Sequence, residues 1–417
     1  MFSKLLLLLL ITAGTTSALV SALELTPSTG SAIKLSSVAG SSCQLIASGA
    51  DDAPSFVSAV LNGNCQTVVI PAETTLNIST KLDMTGARDT HIVLEGTIKF
   101  NPDIDYWVAN AFPITFQTQI TYWLLGGMNI TLDGGGTIDG SGQVWYDKFS
   151  DDSSLLRPII LTILNGTNVL VNNVTMINSP EWFNLVHSSS GVTFSNINLT
   201  AASTSKASAK NTDGWDIYRS DQVTIKDSVI NNGDDCVSFK PNATNILVTN
   251  LNCTGSHGIS VGSLGQFEGM FDIVENVTSS NIRMSNAQNG ARIKCWAGSG
   301  VGSGIVKNIT FEHFIEDDVD HPVVIDQCYM TSDEDCAEFP SNTFIQDVVF
   351  SSISGTGSGS TVATLDCSPG ARCSNITVTS ISLAAPKGTA KYECQNVELG
   401  GSSASLFGTC TDTSMSS

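Results

Sequence analysis

Residues 168–174 read Asn-Val-Leu-Val-Asn-Asn-Val, and the phrase returns down the chain. It recurs as Gly191-Val-Thr-Phe-Ser-Asn-Ile197, Gln222-Val-Thr-Ile-Lys-Asp-Ser228 and Asn245-Ile-Leu-Val-Thr-Asn-Leu251. It recurs again as Asn308-Ile-Thr-Phe-Glu-His-Phe314, Asp347-Val-Val-Phe-Ser-Ser-Ile353 and Asn375-Ile-Thr-Val-Thr-Ser-Ile381. Each phrase alternates β-branched or aromatic residues with polar ones, which is strand periodicity, and each opens or closes on a turn-forming residue. With Val277 added, the first apolar positions are Val169, Val192, Val223, Ile246, Val277, Ile309, Val348 and Ile376, at intervals of 23, 31, 23, 31, 32, 39 and 28 residues. Ile92 and Ile130 are candidate earlier members. A strand-built repeat of this length describes a solenoid, because one turn cannot bury its own inner face and the stack must share a core. The expected fold is all-β, a parallel β-helix forming a single elongated domain over residues 23–417. A sandwich or barrel would instead show hairpin turns at every ~8–12 residues; Asn232-Gly233 and Asn289-Gly290 are present, but the longer repeat covers far more of the chain. Intervals above the minimum place inserted loops on one side, where they would wall a groove.

The chain opens Met1-Phe-Ser-Lys4, runs apolar from Leu5 to Ile11, and reaches small residues at Thr16-Ser-Ala18 and Val20-Ser-Ala22. That order describes a secretory signal peptide over residues 1–22, cleaved after Ala18 or Ala22. The apolar run is about half the ~20 residues that span a bilayer, so the expectation is a secreted, extracellular protein with no membrane partner. Ten Asn-x-Ser/Thr sequons, at Asn77, Asn129, Asn165, Asn173, Asn198, Asn242, Asn252, Asn276, Asn308 and Asn375, agree with export and with N-linked glycans. Eleven cysteines fall by proximity into Cys43–Cys65, Cys236–Cys253, Cys328–Cys336, Cys367–Cys373 and Cys394–Cys410, leaving Cys295 unpaired within an apolar strand. A formal net charge of −20 argues against nucleic acid. It also means that an acidic substrate would have to be held by a few local cations.

Four segments break the structural repeat: Asn211-Thr-Asp213-Gly-Trp-Asp216, Gly233-Asp234-Asp235-Cys236, Gly255-Ser-His257-Gly258 and Ala291-Arg292-Ile-Lys294. Asp213 to Asp234 is 21 residues and Asp234 to His257 is 23, about one coil each; His257 to Arg292 is 35 and Arg292 to Tyr329 is 37, a coil plus an insertion. Neighbouring coils stack ~4.8 Å apart, so the spacing predicts one column of Asp213, Asp234/Asp235, His257, Arg292/Lys294 and Tyr329. Crowded carboxylates cannot all ionise freely, and the pair of roles this creates, one acid and one base, is what glycoside hydrolysis requires. Arg292 and Lys294 alternate on one strand and would clamp a substrate carboxylate. Asp234 and Asp235 are adjacent, so both can act only at a strand end or bulge. An acidic cluster of this kind can instead be a Ca²⁺ site.

These segments resemble the signature of glycoside hydrolase family 28, the polygalacturonases, whose pattern is Asn-Thr-Asp, Asp-Asp-Cys, Gly-His-Gly and Arg-Ile-Lys in that order. The resemblance runs from about Ser41 to the end of the chain. It implies a right-handed parallel β-helix and an inverting hydrolysis of pectin, with no metal or other cofactor, by a monomer acting on pectic polysaccharide or oligogalacturonate. It implies Asp234 as general acid, Asp213 and Asp235 as activators of the water, and His257 as assistant to the acid. Arg292, Lys294 and Tyr329 would bind the galacturonate, with Asn211 nearby. Ser256 stands where many members carry a second Gly, and Cys295 where an aliphatic residue is usual. Gly214-Trp215-Asp216-Ile-Tyr-Arg219, Val261-Gly-Ser-Leu-Gly265 and the stretch at Trp296 resemble the fungal exo-acting branch, as does an additional aromatic segment, Tyr106–Trp123. A loop there would close one end of the groove. The expected activity is therefore release of terminal α-1,4-linked galacturonic acid from homogalacturonan. The alternatives are an endo-polygalacturonase, an exo-acting hydrolase on xylogalacturonan or rhamnogalacturonan, a Ca²⁺-dependent pectate lyase, and a non-catalytic β-helix.

Overall fold

The computed structural model describes residues 34–37 and 41–413; the leader expected over residues 1–22 lies outside them. Strands pair in parallel with the strand two places on, coil above coil. The described exceptions are two antiparallel pairs, Lys34–Ser37 with Ser41–Gln44 and Phe112–Ile114 with Gln119–Asp133. The molecule is a parallel β-helix.

The repeated phrase has a direct structural meaning. Val169, Val192, Val223, Ile246, Val277, Ile309, Val348 and Ile376 pair in one unbroken row across eight coils. Each is buried, and the residue before it turns a corner in the left-handed region: Asn168, Gly191, Gln222, Asn245, Asn276, Asn308, Asp347 and Asn375, with φ between 54° and 67°. Five residues later in each coil from Asn196 to Ser352 the strand turns again, at Asn196, Asp227, Asn250, Asn281, His313 and Ser352. Asn and Asp dominate both corners because a short polar side chain tolerates this conformation best among residues with a Cβ. Asparagine amides also link coils along the surface: Asn245 donates to Asp221, Asn276 to Asn245 and Asn308 to Asn276, at 2.6, 3.0 and 2.9 Å. The row continues back to Ile130, opposite Val169, and then to Thr90. Ile92 lies two residues further along, opposite Leu132, so its expected membership of this row is corrected.

The core is one continuous stack, with Phe311 on Phe350 at 5.3 Å as an example of like-on-like layering. Helix Ala53–Leu61 covers the first coils, burying Ala53, Phe56, Ala59 and Val60, and Phe56 meets Trp123 edge-on at 5.5 Å. Disulfides Cys43–Cys65, Cys236–Cys253, Cys328–Cys336, Cys367–Cys373 and Cys394–Cys410 close short loops, and Cys295 is free and buried. Each bridge stabilises by about 2–4 kcal/mol, chiefly through the unfolded chain.

The second sheet is made of short strands: Asn184–His187, Trp215–Tyr218, Val237–Phe239, Ile259–Leu264, Asn289–Trp296 and His321–Tyr329. Their registers place Leu185, Asp216, Ser238, Ser260, Arg292 and Val324 in one row. Polar groups entering this row mark the outer face of the sheet, and the site is built there.

Candidate active site

Asp234 and Asp235 sit in the turn before Val237–Phe239, ahead of the pleat, so strict alternation does not separate them. Asn232 shapes that turn: its amide donates to the carbonyls of Thr212, Asp234 and Asp235. Asp213 occupies the equivalent place one coil earlier, where Gly214 N donates to Asp235 O. A Cβ at Gly214 would meet Cys236 O at 2.5 Å, which is why this coil crossing needs glycine. His257 stands one coil later, its N–H on Asp234 O at 2.9 Å. Carboxylate oxygens of Asp213, Asp234 and Asp235 all lie within 4.8 Å of one another.

The three acids have different surroundings. Asp234 is the most open, with its side chain 17% exposed against 1% for Asp235. One Asp234 oxygen lies 3.2 Å from His257 Nδ1 and accepts from Asp235 N at 2.8 Å; the other accepts from Asn211 Nδ2 at 3.2 Å. Burial alone would raise Asp235, but the nearby charges of Lys294, Arg292 and Lys240 hold it well below the usual carboxylate range. Lys294 Nζ is 2.7 Å from one Asp235 oxygen and Ser260 Oγ donates to the other at 2.7 Å. Burial, then the negative charge of Asp234, pushes Asp213 well above its ordinary value. Burial would lower His257, but its hydrogen bond to Asp234 and that carboxylate's charge raise it on balance. The cluster therefore keeps Asp235 ionised and retains a proton on the Asp213–Asp234 pair, which titrates as a unit.

The predicted single column is corrected in one respect. Asp213, Asp235 and His257 do follow one another coil by coil, but Arg292 and Lys294 are not at their level. Arg292 pairs with Ser260 and Lys294 with Gly262, further along the strand, and the lysine side chain reaches back to Asp235. Tyr329 pairs with Trp296, its ring 5.3 Å from both Arg292 Cζ and Lys294 Nζ. Among the described residues no carboxylate lies within ion-pair distance of Arg292, which is 9% exposed. Of the two expected substrate cations, Arg292 is open and Lys294 is engaged by Asp235. Three carboxylates this close also offer oxygen ligands for a hard cation; here the Lys294 ammonium already lies against Asp235.

Several supporting residues were not singled out from the sequence. Arg157, 2% exposed, is held by Glu181 at 2.7 Å and donates to the carbonyls of Pro180 and Lys210. Its remaining reach goes to Asn211 Oδ1 at 2.8 Å, which turns the Asn211 NH₂ toward Asp234. Asp216 pairs with Lys240 at 3.0 Å. Coil spacing offered a signal for two of them: Lys240 lies 24 residues after Asp216, and Ser260 25 after Asp235. Arg157 and Glu181 carry no such signal, being reached through a turn.

The aromatic segment folds over the same face. It forms helix Ile104–Asn110, strand Phe112–Ile114 and a short turn at Phe116–Thr118. Ile114 and Phe116 join Leu124, Ile159, Trp182, Leu185 and Tyr218 in a second apolar cluster outside the main core. Phe116 stacks on Tyr218 at 4.0 Å, and Gln117 Nε2 reaches Gln266 at 3.4 Å. The wall rises over Leu185 and Tyr218, one coil before and level with Asp216.

Comparison with known proteins agrees with this architecture. The sequence profile of Glycosyl hydrolases family 28 matches residues 61–406. An exopolygalacturonase of Cochliobolus carbonum is 46% identical over 88% of this chain and 86% of its own length. Exopolygalacturonase X-1 of Emericella nidulans is 45% identical over 84% of each. Among solved structures, the endo-xylogalacturonan hydrolase of Aspergillus tubingensis superposes with a TM-score of 0.79 at 35% identity, covering 89% of this chain and 99% of that one.

Proposed function

Because the chain belongs to glycosyl hydrolases family 28, we propose that it is a secreted exopolygalacturonase, removing terminal α-1,4-linked galacturonic acid from homogalacturonan. The observation that carries the exo assignment is the wall: Phe116 on Tyr218, packed at the edge of the catalytic coils, leaves the groove open in one direction only. Relatives named exopolygalacturonases at 45–46% identity support the same reading.

In this reading Asp234 donates a proton to the leaving glycosidic oxygen. It is the acid nearest the open groove, and His257 and Asn211 orient its two oxygens. Asp235, held ionised by Lys294, and Asp213 flank the attacking water. Arg292 and Tyr329, on the coils beyond, take the next sugar's carboxylate and ring. Inversion is part of the proposal, although the carboxylate spacing of no more than 4.8 Å is shorter than that of usual inverting pairs; the water then sits beside the acid, between Asp213 and Asp235. Proton NMR of the first-formed product tests this, since the β-anomer marks inversion and the α-anomer retention.

The resemblance to the endo-xylogalacturonan hydrolase supplies a second reading, internal cutting of a xylose-bearing chain. Early digests separate the two. Free galacturonic acid from the first minutes supports exo action; mixed oligomers with no monomer excess would reject it.

A further inference from the structure

The outer face of the short-strand sheet carries a second row beside the one holding Asp216 and Arg292. Ile217, Phe239, Val261 and Ile293 pair across four coils, and the residues that follow them are Tyr218, Lys240, Gly262 and Lys294. Lys240 N donates to Ile217 O at 2.9 Å, which continues the ladder to this position. The row therefore runs from the foot of the aromatic wall to the lysine that pairs with Asp235.

Lys240 is the first residue past the wall in this row. Trp182, itself part of the wall cluster, has its ring 5.3 Å from Lys240 Nζ. Lys240 is 5% exposed, and its one ion-pair partner among the described residues is Asp216 at 3.0 Å. An ammonium has three donors, so this pairing leaves hydrogen-bonding capacity unused. An ion pair kept only for stability is a weak device when buried, since an apolar pair of similar volume is often as good. Burial also pushes Asp216 up to about 7 in spite of Lys240. In acid Asp216 takes a proton, and the lysine is left with a charge that a substrate anion can meet.

The neighbouring position is a glycine with φ +107°, where a Cβ would come 2.3 Å from Lys294 O and 3.4 Å from Lys294 Cγ. Gly262 thus has a bare backbone, and any side chain would displace Lys294. The result is a gap with lysines on both sides, an open floor, and the catalytic acids alongside.

We propose that Lys240 is a specificity-determining residue that recognises the free carboxylate of the terminal hexuronate lodged against the Phe116–Tyr218 wall, opposing Lys294 across Gly262. The inference rests on the exo reading, because only a closed end presents a terminal sugar to this row. It assigns the discrimination between a free acid and its methyl ester at the chain end to a residue outside the four sequence segments that carry the family resemblance.

The test uses the full-length enzyme with two substrates, trigalacturonate and the same trimer methyl-esterified only on its non-reducing terminal unit. Lys240→Met removes the charge at similar volume. The double variant Asp216→Asn/Lys240→Met removes the pair together and covers the case in which an unpaired Asp216 spoils folding. The expected result in either is a KM for the free acid raised about tenfold or more, as for loss of a charged hydrogen bond. The fall in kcat should be smaller, and the acid-over-ester preference should shrink toward one. Lys240→Arg should keep most of that preference. Folded variants that keep both the parental KM and the parental preference overturn the inference, as does a loss confined to kcat and equal for both substrates. If those variants and the parent all release only monomer, the failure belongs to the Lys240 assignment alone. Mixed oligomers from the parent overturn the exo reading and this inference with it.

Discussion

Lys294 Nζ rests 2.7 Å from Asp235 Oδ2, so the cation expected to hold substrate instead fixes the charge of a catalytic acid. A depressed carboxyl stays ionised as pH falls, and its contribution is lost only when pH drops through the folded value. Lys294→Met leaves burial unopposed by its nearest charge, so the Asp235 pKa rises. The acid limb of kcat/KM against pH should move upward, with activity near pH 4 falling more than activity near pH 6. An unmoved acid limb would separate Lys294 from Asp235 in function.

Asp234→Asn should lower kcat by roughly 10²–10⁴, because an amide cannot protonate the leaving oxygen. The side chain keeps its contacts with Asn211 and the Asp235 N–H in outline, so the thermal midpoint should stay close to the parent's. Near-parental turnover would place the acid on Asp213, where the structure raises the pKa.

Arg157→Met strands Glu181, whose ion pair at 2.7 Å has only 9% of the carboxylate side chain exposed. Removing one partner of such a pair costs about 3–5 kcal/mol, and urea unfolding should report it. Arg157→Met/Glu181→Met should recover a good part of the stability while kcat stays low, because Asn211 still lacks its orienting donor. Full recovery of kcat in the double variant would reduce Arg157 to a structural role.

Phe116→Ala removes the ring stacked on Tyr218 and loosens the wall by about 0.5–1.5 kcal/mol beyond the lost area. Dimers and trimers should appear in early digests of polygalacturonate where the parent gives monomer. A product pattern identical to the parent's would mean that the closed end lies elsewhere.

Glu316 faces the core with neither carboxyl oxygen hydrogen-bonded, in the row of Ile230, Cys253 and Met284. Burial raises its pKa well above the ordinary value. A raised acid stabilises fully below its unfolded value of about 4.3 and loses that contribution as pH climbs toward the folded one. Glu316→Gln abolishes the titration at constant shape. Its unfolding free energy should therefore decline less than the parent's between about pH 4 and pH 8, by roughly 1.4 kcal/mol per unit of raised pKa within the window. Parallel decline in the two chains would rule Glu316 out as the cause.

The coil register was legible because Val or Ile follows a corner residue in every repeat, and a one-residue slip would turn the buried row outward. The placement of Asp213, Asp235 and His257 followed from that spacing alone. Ile92 misled because the early coils begin their row on Thr90, a polar residue that hides the phase. The column argument also failed for Lys294: it treated side chains as points, whereas a lysine stem crosses from one position to another. Arg157 and Glu181 were illegible for a related reason. They act from turns, where periodicity carries no information, and only the folded chain brings them to Asn211.

The wall segment leaves the solenoid after Phe100 and rejoins it at Gln119, inside a single coil. Its length can therefore change without shifting the phase of any later coil, since each strand from Gln119 onward still meets the same partner. The aspartates are drawn from coils further on. Mode of attack and bond-breaking chemistry are inherited through separate stretches of chain, and a lineage can lengthen or trim the barrier while its reaction stays fixed.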